Sequence, residues 1–285
     1  MKIRAGYEIS YECPQPTPMI LTLSVHPSRR ADLLAPDRMR FDPPIAADEY
    51  RDGFGNICQV IRAPAGRLTV ASQTLVRDGG EPDAVVPDAI QHPLEKLPVD
   101  TLVYLLGSRY CETDRLADIA WSTFGAVPKG WGLVQAICDY VHDRITFGYA
   151  FASPTKTAAD VHAERRGVCR DFAHLAVTLC RCMNIPARYC TGYLGDIGVP
   201  PVDAPMDFSA WFEVYLGGGW HTFDARHNVP RIGRILIARG RDATDVAIVT
   251  SFGPATLSRF QVTTEPEGSD AERGDVPSTG AALSI

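Results

Sequence analysis

The feature that most constrains this chain is the run Gly167-Val168-Cys169-Arg170-Asp171-Phe172-Ala173-His174, where a loop turns into a helix. Phe172, Ala176, Leu179 and Met183 follow at spacings of four, three and four, which places them on one helical face. Cys169 falls on the same stripe. The first-turn amides and the helix dipole favour a negative charge there, and so a thiolate. Asp171 works against this and Arg170 partly offsets it. On the stripe alone Cys169 reads as a buried core thiol, the commoner fate of a free cysteine.

Downstream, residues 208–216 and 220–226 read as a hairpin around Gly217-Gly218-Gly219, rich in aromatic and β-branched residues. A two-residue turn at Gly217-Gly218 pairs Leu216 with Gly219 and Trp211 with Asp224. Ser209 then shares a face with Asp224 as its diagonal neighbour. Before the hairpin come Asn184-Ile185-Pro186-Ala187-Arg188 and Tyr189-Cys190-Thr191-Gly192-Tyr193-Leu194.

This ordered series, ending in Ala210-Trp211-Phe212-Glu213-Val214 and Gly219-Trp220-His221-Thr222-Phe223-Asp224, resembles the bacterial transglutaminase-like superfamily. The resemblance covers residues 128–264. It implies an α+β fold with a papain-like transglutaminase core, a Cys-bearing helix packed on an antiparallel sheet. In that family the cysteine at the helix start is the nucleophile, matched by Cys169. An aspartate on the second hairpin strand orients the base, matched by Asp224. The base is a histidine just before Ala-Trp, and here that residue is Ser209, whose hydroxyl is no substitute for imidazole near neutral pH. Cys169, Ser209 and Asp224 are therefore the expected catalytic positions, facing one cleft.

No histidine is an obvious replacement. His221 has the opposite strand parity to Asp224, and so does His227 if the strand reaches it. His174 lies roughly 140° around the helix from Cys169. His142 and His162 are remote in sequence, and a surface or packing role is expected of all five.

Residues 1–90 read as an N-terminal β domain resembling a small sandwich, with alternation at Tyr7, Ile9 and Tyr11, a strand over 19–25, and a turn at Asp52-Gly53-Phe54-Gly55-Asn56. The stretch 91–127 reads as linker and helices, with the Pro- and Asp-rich segment 82–93 leading into it. Residues 128–264 form the transglutaminase-like domain, with a helix over 131–145 and a Thr157/Asp160 helix start. From 265 to 285 the composition reads as a disordered acidic tail.

A net charge of −6, with no basic patch interleaved with aromatics, argues against nucleic acid as a partner. Apolar stretches are too short to span a bilayer, and residues 1–8 lack the apolar core of a signal peptide. The expected setting is cytoplasmic, with no membrane partner. Eight cysteines in such a chain are expected to stay reduced. Cys180, Cys182, Cys190 and His174 lack metal-ligand spacing, so neither metal nor cofactor is expected. The expected function is that of a cysteine peptidase or acyl transferase, acting on the amide bonds of a peptide or protein through a Cys169 thioester. The alternative is a catalytically impaired or inactive peptide- or protein-binding module that retains the cleft.

Overall fold

The computed structural model describes residues 1–202 and 206–268. In order, the strands are β1 (Lys2–Cys13), β2 (Thr17–Leu21), β3 (Arg40–Asp42), β4 (Ala47–Arg51), β5 (Ile57–Ala63) and β6 (Gly66–Arg77). Helices α1 (Thr113–Phe124) and α2 (Trp131–Arg144) follow, then β7 (Thr146–Phe147), α3 (Ala158–Glu164), β8 (Arg166–Gly167) and α4 (Cys169–Cys182). The described residues end with β9 (Ala187–Tyr193), β10 (Ser209–Leu216), β11 (Gly219–Phe223), β12 (Ile235–Gly240), β13 (Val249–Ser251) and β14 (Thr256–Pro266).

This is a mixed α+β fold in which a Cys-bearing helix packs on an antiparallel sheet. Three four-stranded sheets have the orders β14-β1-β6-β3, β13-β2-β5-β4 and β11-β10-β9-β12. The first two form the N-terminal layers, and their inward alternation (Ile3, Ala5, Tyr7 and Ile9 against Met19, Leu21 and Ile61) builds a shared core. Both are completed from the far end of the chain. β14 pairs antiparallel with β1, from Ile3 opposite Pro266 to Glu12 opposite Thr256, and β13 pairs with β2. The segment expected to be a tail thus begins inside a strand, and the rest of it, 269–285, lies outside the described residues.

The Asp52–Asn56 turn joins β4 to β5 and docks on the third sheet. Asn56 donates through Nδ2 to the Arg239 carbonyl and accepts the Arg239 amide at Oδ1, each at 2.9 Å. The Pro/Asp-rich stretch is also tied down. Asp83 accepts from Arg231 and Arg234, the Ile90 carbonyl accepts the Gly217 amide, and the Ala89 carbonyl accepts the Trp131 amide.

Helix α4 is central and buried on all sides from Arg170 to Cys182. Its apolar stripe packs Phe172, Leu175, Ala176 and Leu179 against Phe212, Val214 and Leu216 of β10 and against α2. Its polar residues are buried too, and each bonds to backbone. Arg181 donates to the carbonyls of Leu106, Ala187 and Arg241, and Thr178 donates to that of His174. The hairpin register is the expected one: Leu216 faces Gly219, and Gly217 and Gly218 adopt φ of +57° and +87°, as a tight two-residue turn requires.

Candidate active site around Cys169

Gly167 ends β8, which pairs parallel with β7, and Val168 then caps α4. The Asp171 carboxylate reaches back to the Val168 amide at 2.9 Å, half of a capping box, and the Val168 carbonyl accepts the amides of Asp171 and Phe172. This fixes Cys169 at the first turn. A Cβ on Gly167 would lie 2.6 Å from that of Asp171, so glycine is required for the bend. The Cys169 thiol is half-buried and packs beside the cluster that contains Ala173, Tyr189 and Ala210. All eight cysteines are free thiols.

Burial dominates the electrostatics here. It pushes the Cys169 thiol up to about 11, against the favourable pull of the Arg226 guanidinium and the Ala210 amide, while Asp207 and Asp171 push it up further. The helix-start argument is therefore outweighed by desolvation. Asp207, just before β10, is itself pushed up to about 7 by burial, despite a 2.7 Å hydrogen bond from the Phe208 amide and the opposing effect of Arg226. Arg226 lies with its guanidinium 3.8 Å from the centre of the Phe147 ring, and Phe147 is the strand partner of Gly167.

Ser209 opens β10 opposite Gly192. By strand alternation it belongs to the face of Trp211, which clusters with Cys190 and Leu236, whereas Ala210 packs on the Cys169 side. Among the described residues no hydrogen bond joins the Ser209 hydroxyl to Cys169 or Asp224.

β11 stops at Phe223, and the chain turns at once. The Asp224 carboxylate accepts the amides of Arg226 and His227 at Oδ1 (3.0 and 3.1 Å), and its carbonyl accepts the Asn228 amide. Its Oδ2 lies 2.8 Å from His227 Nδ1 and accepts from Arg234 Nη2 at 2.9 Å. Burial opposes this charge, but Arg234 and then His227 outweigh it and hold the Asp224 carboxyl well below the usual range. The parity argument against His227 thus lapses, because the strand ends at Phe223, four residues before it. Sequence reasoning also missed Arg226, Arg234 and Asp207. The one available signal was an Asp-x-x-His spacing in a loop after a strand.

The other histidines are engaged elsewhere. His174 is stacked on Tyr110, accepts the Ala243 amide at Nε2, and is pushed down to about 3 by burial. His221 turns back to the Leu216 carbonyl and packs edge-on to Trp131. His142 Nδ1 lies 3.2 and 3.0 Å from the carbonyls of Ala225 and Arg226, and His162 lies 2.8 Å from the Tyr140 hydroxyl. No histidine is hydrogen-bonded to the Cys169 sulfur among the described residues. Nor is any helix among them long and apolar enough to cross a membrane.

The model of the transglutaminase-like superfamily matches residues 123–225. A solved structure described as that of "a Putative Cysteine Protease from Cytophaga hutchinsonii" is 31% identical, with a TM-score of 0.79 over 93% of this chain and 90% of that one. An uncharacterized protein of Mycobacterium leprae is 28% identical over 235 residues, 74% of this chain and 77% of the relative. One of Mycobacterium tuberculosis is 28% identical over 234 residues, 73% of each. With a matching fold, a family model across its helical core and hairpin, and a relative so similar over nearly its whole length, the chain belongs to the transglutaminase-like superfamily.

Proposed function

We propose that the protein is a thiol-dependent enzyme acting on amide bonds of peptides or proteins, with Cys169 as nucleophile and His227, oriented by Asp224, as its base. The observation that carries this reading is the Asp224–His227 pair. It is anchored by Arg234 in the loop whose preceding residue, Arg226, acts on the Cys169 thiol. Asp224 keeps the role that the family resemblance gives it. The imidazole comes from three residues further along the chain instead of from the start of β10, where Ser209 stands.

In this scheme His227 Nε2 takes the thiol proton and the sulfur bonds to the substrate carbonyl carbon. The C–N bond then breaks, with the proton passing to the departing amine. Asp224 fixes the ring tautomer with Nδ1–H directed at its carboxylate. Water or a second amine then attacks the thioester, giving hydrolysis or acyl transfer through one intermediate. Ser209 flanks the cleft as a polar neighbour of Trp211 and carries no proton.

One observation favours a second reading, a peptide-binding module without turnover: burial pushes the Cys169 thiol up to about 11. Assay of thiol-dependent ester and peptide hydrolysis with wild type, Cys169→Ala and His227→Gln separates the two. Loss of turnover in both variants supports the enzyme. Absence of turnover in the wild type, with retained peptide binding, supports the module.

A further inference from the structure

A cavity of about 270 Å³ lies apart from Cys169, with Trp211 and Leu236 in its apolar part and Arg231, Arg234 and Arg239 among its polar walls. A single water needs only roughly 10–15 Å³ of such space. None of the groups acting on the Cys169 thiol (Arg226, Asp207, Asp171 and the Ala210 amide) lines it.

Its arginines are unusual. The side chains of Arg231 and Arg234 are 4% and 7% exposed, yet among the described residues Arg231 Nε and Arg234 Nη1 have no acceptor, and the same is true of Arg239 Nε. Buried guanidinium N–H groups are nearly always hydrogen-bonded, because an unmet one carries its full desolvation cost. The three arginines that line this cavity thus each carry a buried N–H without an acceptor among the described residues. The wall also holds carboxylates, but most are already engaged. Asp83 is bonded to Arg234, Asp78 to Arg29, and Glu213 to Arg188. Glu81 is exposed. Among the described residues Arg239 has no carboxylate within ion-pair distance.

We propose that this cavity binds a small oxyanion-bearing ligand, a carboxylate or a phosphate, held by Arg231, Arg234 and Arg239 with Trp211 beside it. Planar guanidinium groups match the paired oxygens of either oxyanion. The site stands independently of the reaction assigned to Cys169. It touches that assignment only through Arg234, whose Nη2 holds Asp224.

Calorimetric titration of the full chain with inorganic phosphate, and separately with succinate, at constant ionic strength tests the assignment. Saturable binding of at least one is expected, and the arm that binds identifies the oxyanion. Arg239→Gln, which breaks no ion pair among the described residues, should weaken binding about tenfold or more, while Cys169→Ala should bind as wild type does. No saturable binding in either arm, binding unchanged in Arg239→Gln, or binding lost in Cys169→Ala would each overturn the proposal. Arg231→Gln, with folding checked by circular dichroism, gives a second reading of the same wall.

Discussion

His227 Nδ1 and Asp224 Oδ2 lie 2.8 Å apart, three residues apart in a turn that begins where β11 ends. The Asp224 carboxylate collects two backbone amides, one imidazole and one guanidinium. Such an acceptor fixes ring orientation as well as charge.

His227→Gln should lower Cys169-dependent turnover by ~10²–10⁴ with little loss of stability, since general acid–base participation contributes on that scale. The imidazole is 24% exposed, so its removal opens no core cavity. Steady-state kinetics alongside thermal melts check both halves of this expectation.

Asp224→Asn should cost stability as well as activity, because Arg234 is left with a buried charge and a weaker partner. Asp83 still pairs with that guanidinium, so the loss should fall below the about 3–5 kcal/mol of a fully broken buried pair. The Asp224 carboxyl is held below its unfolded value, so its contribution is full above the ordinary carboxylate range and drains away as pH falls through and below it. Urea melts from pH 7 down to pH 3 should show the gap between wild type and Asp224→Asn narrowing with acid.

Asp207 has the opposite sign. Its carboxyl is raised to about 7, so the stability it allows is full at low pH and falls as pH rises through 7. Asp207→Asn should therefore stabilise the protein at pH 8, by about 1–2 kcal/mol after solvent screening, and leave it unchanged at pH 3. The same variant removes a charge that disfavours the Cys169 thiolate, so iodoacetamide should label Cys169 faster at pH 8. An unchanged labelling rate would remove Asp207 from the thiol's surroundings.

Ser209→Ala should keep turnover within about twofold, because among the described residues the buried hydroxyl has no bond to Cys169 or Asp224 to lose. A large fall in kcat would restore Ser209 to the proton path.

Gly192→Ala tests the closest approach in the third sheet. A Cβ there would meet the Ile235 carbonyl oxygen at 2.1 Å and the Trp211 ring at 2.9 Å. Overpacking costs typically ~1–3 kcal/mol, and a backbone oxygen has little room to yield. Thermal denaturation measures the loss.

What could be read from the sequence was what repeats locally. The stripe Phe172-Ala176-Leu179 and the turn at Gly217-Gly218 carry their own periods, and both elements formed where the pattern placed them. The Thr157 and Asp160 pair likewise forms a capping box for α3. Non-local facts left no such trace. Nothing in α4 says that Asp171, His174 and Arg181 are buried beneath neighbouring loops, which is why helix-start stabilisation of Cys169 is overtaken by desolvation. Strand alternation turns His227 away from Asp224 only if the strand reaches it, and the strand ends at Phe223, a boundary that composition does not mark. The pairings of β13 and β14 join residues more than two hundred positions apart, beyond any window of periodicity.

That last pairing bears on how the chain is made. β1 has β6 on one side early in synthesis, but its other edge stays open until Thr256–Pro266 arrives. During translation the first sheet therefore presents an unprotected strand edge, a template for pairing with other chains. Closure waits until β14, far along the chain, has left the ribosome. Fragments that stop before β14 inherit that open edge permanently, so the N-terminal layers, though first to be synthesised, are among the last parts of the molecule to become safe from aggregation.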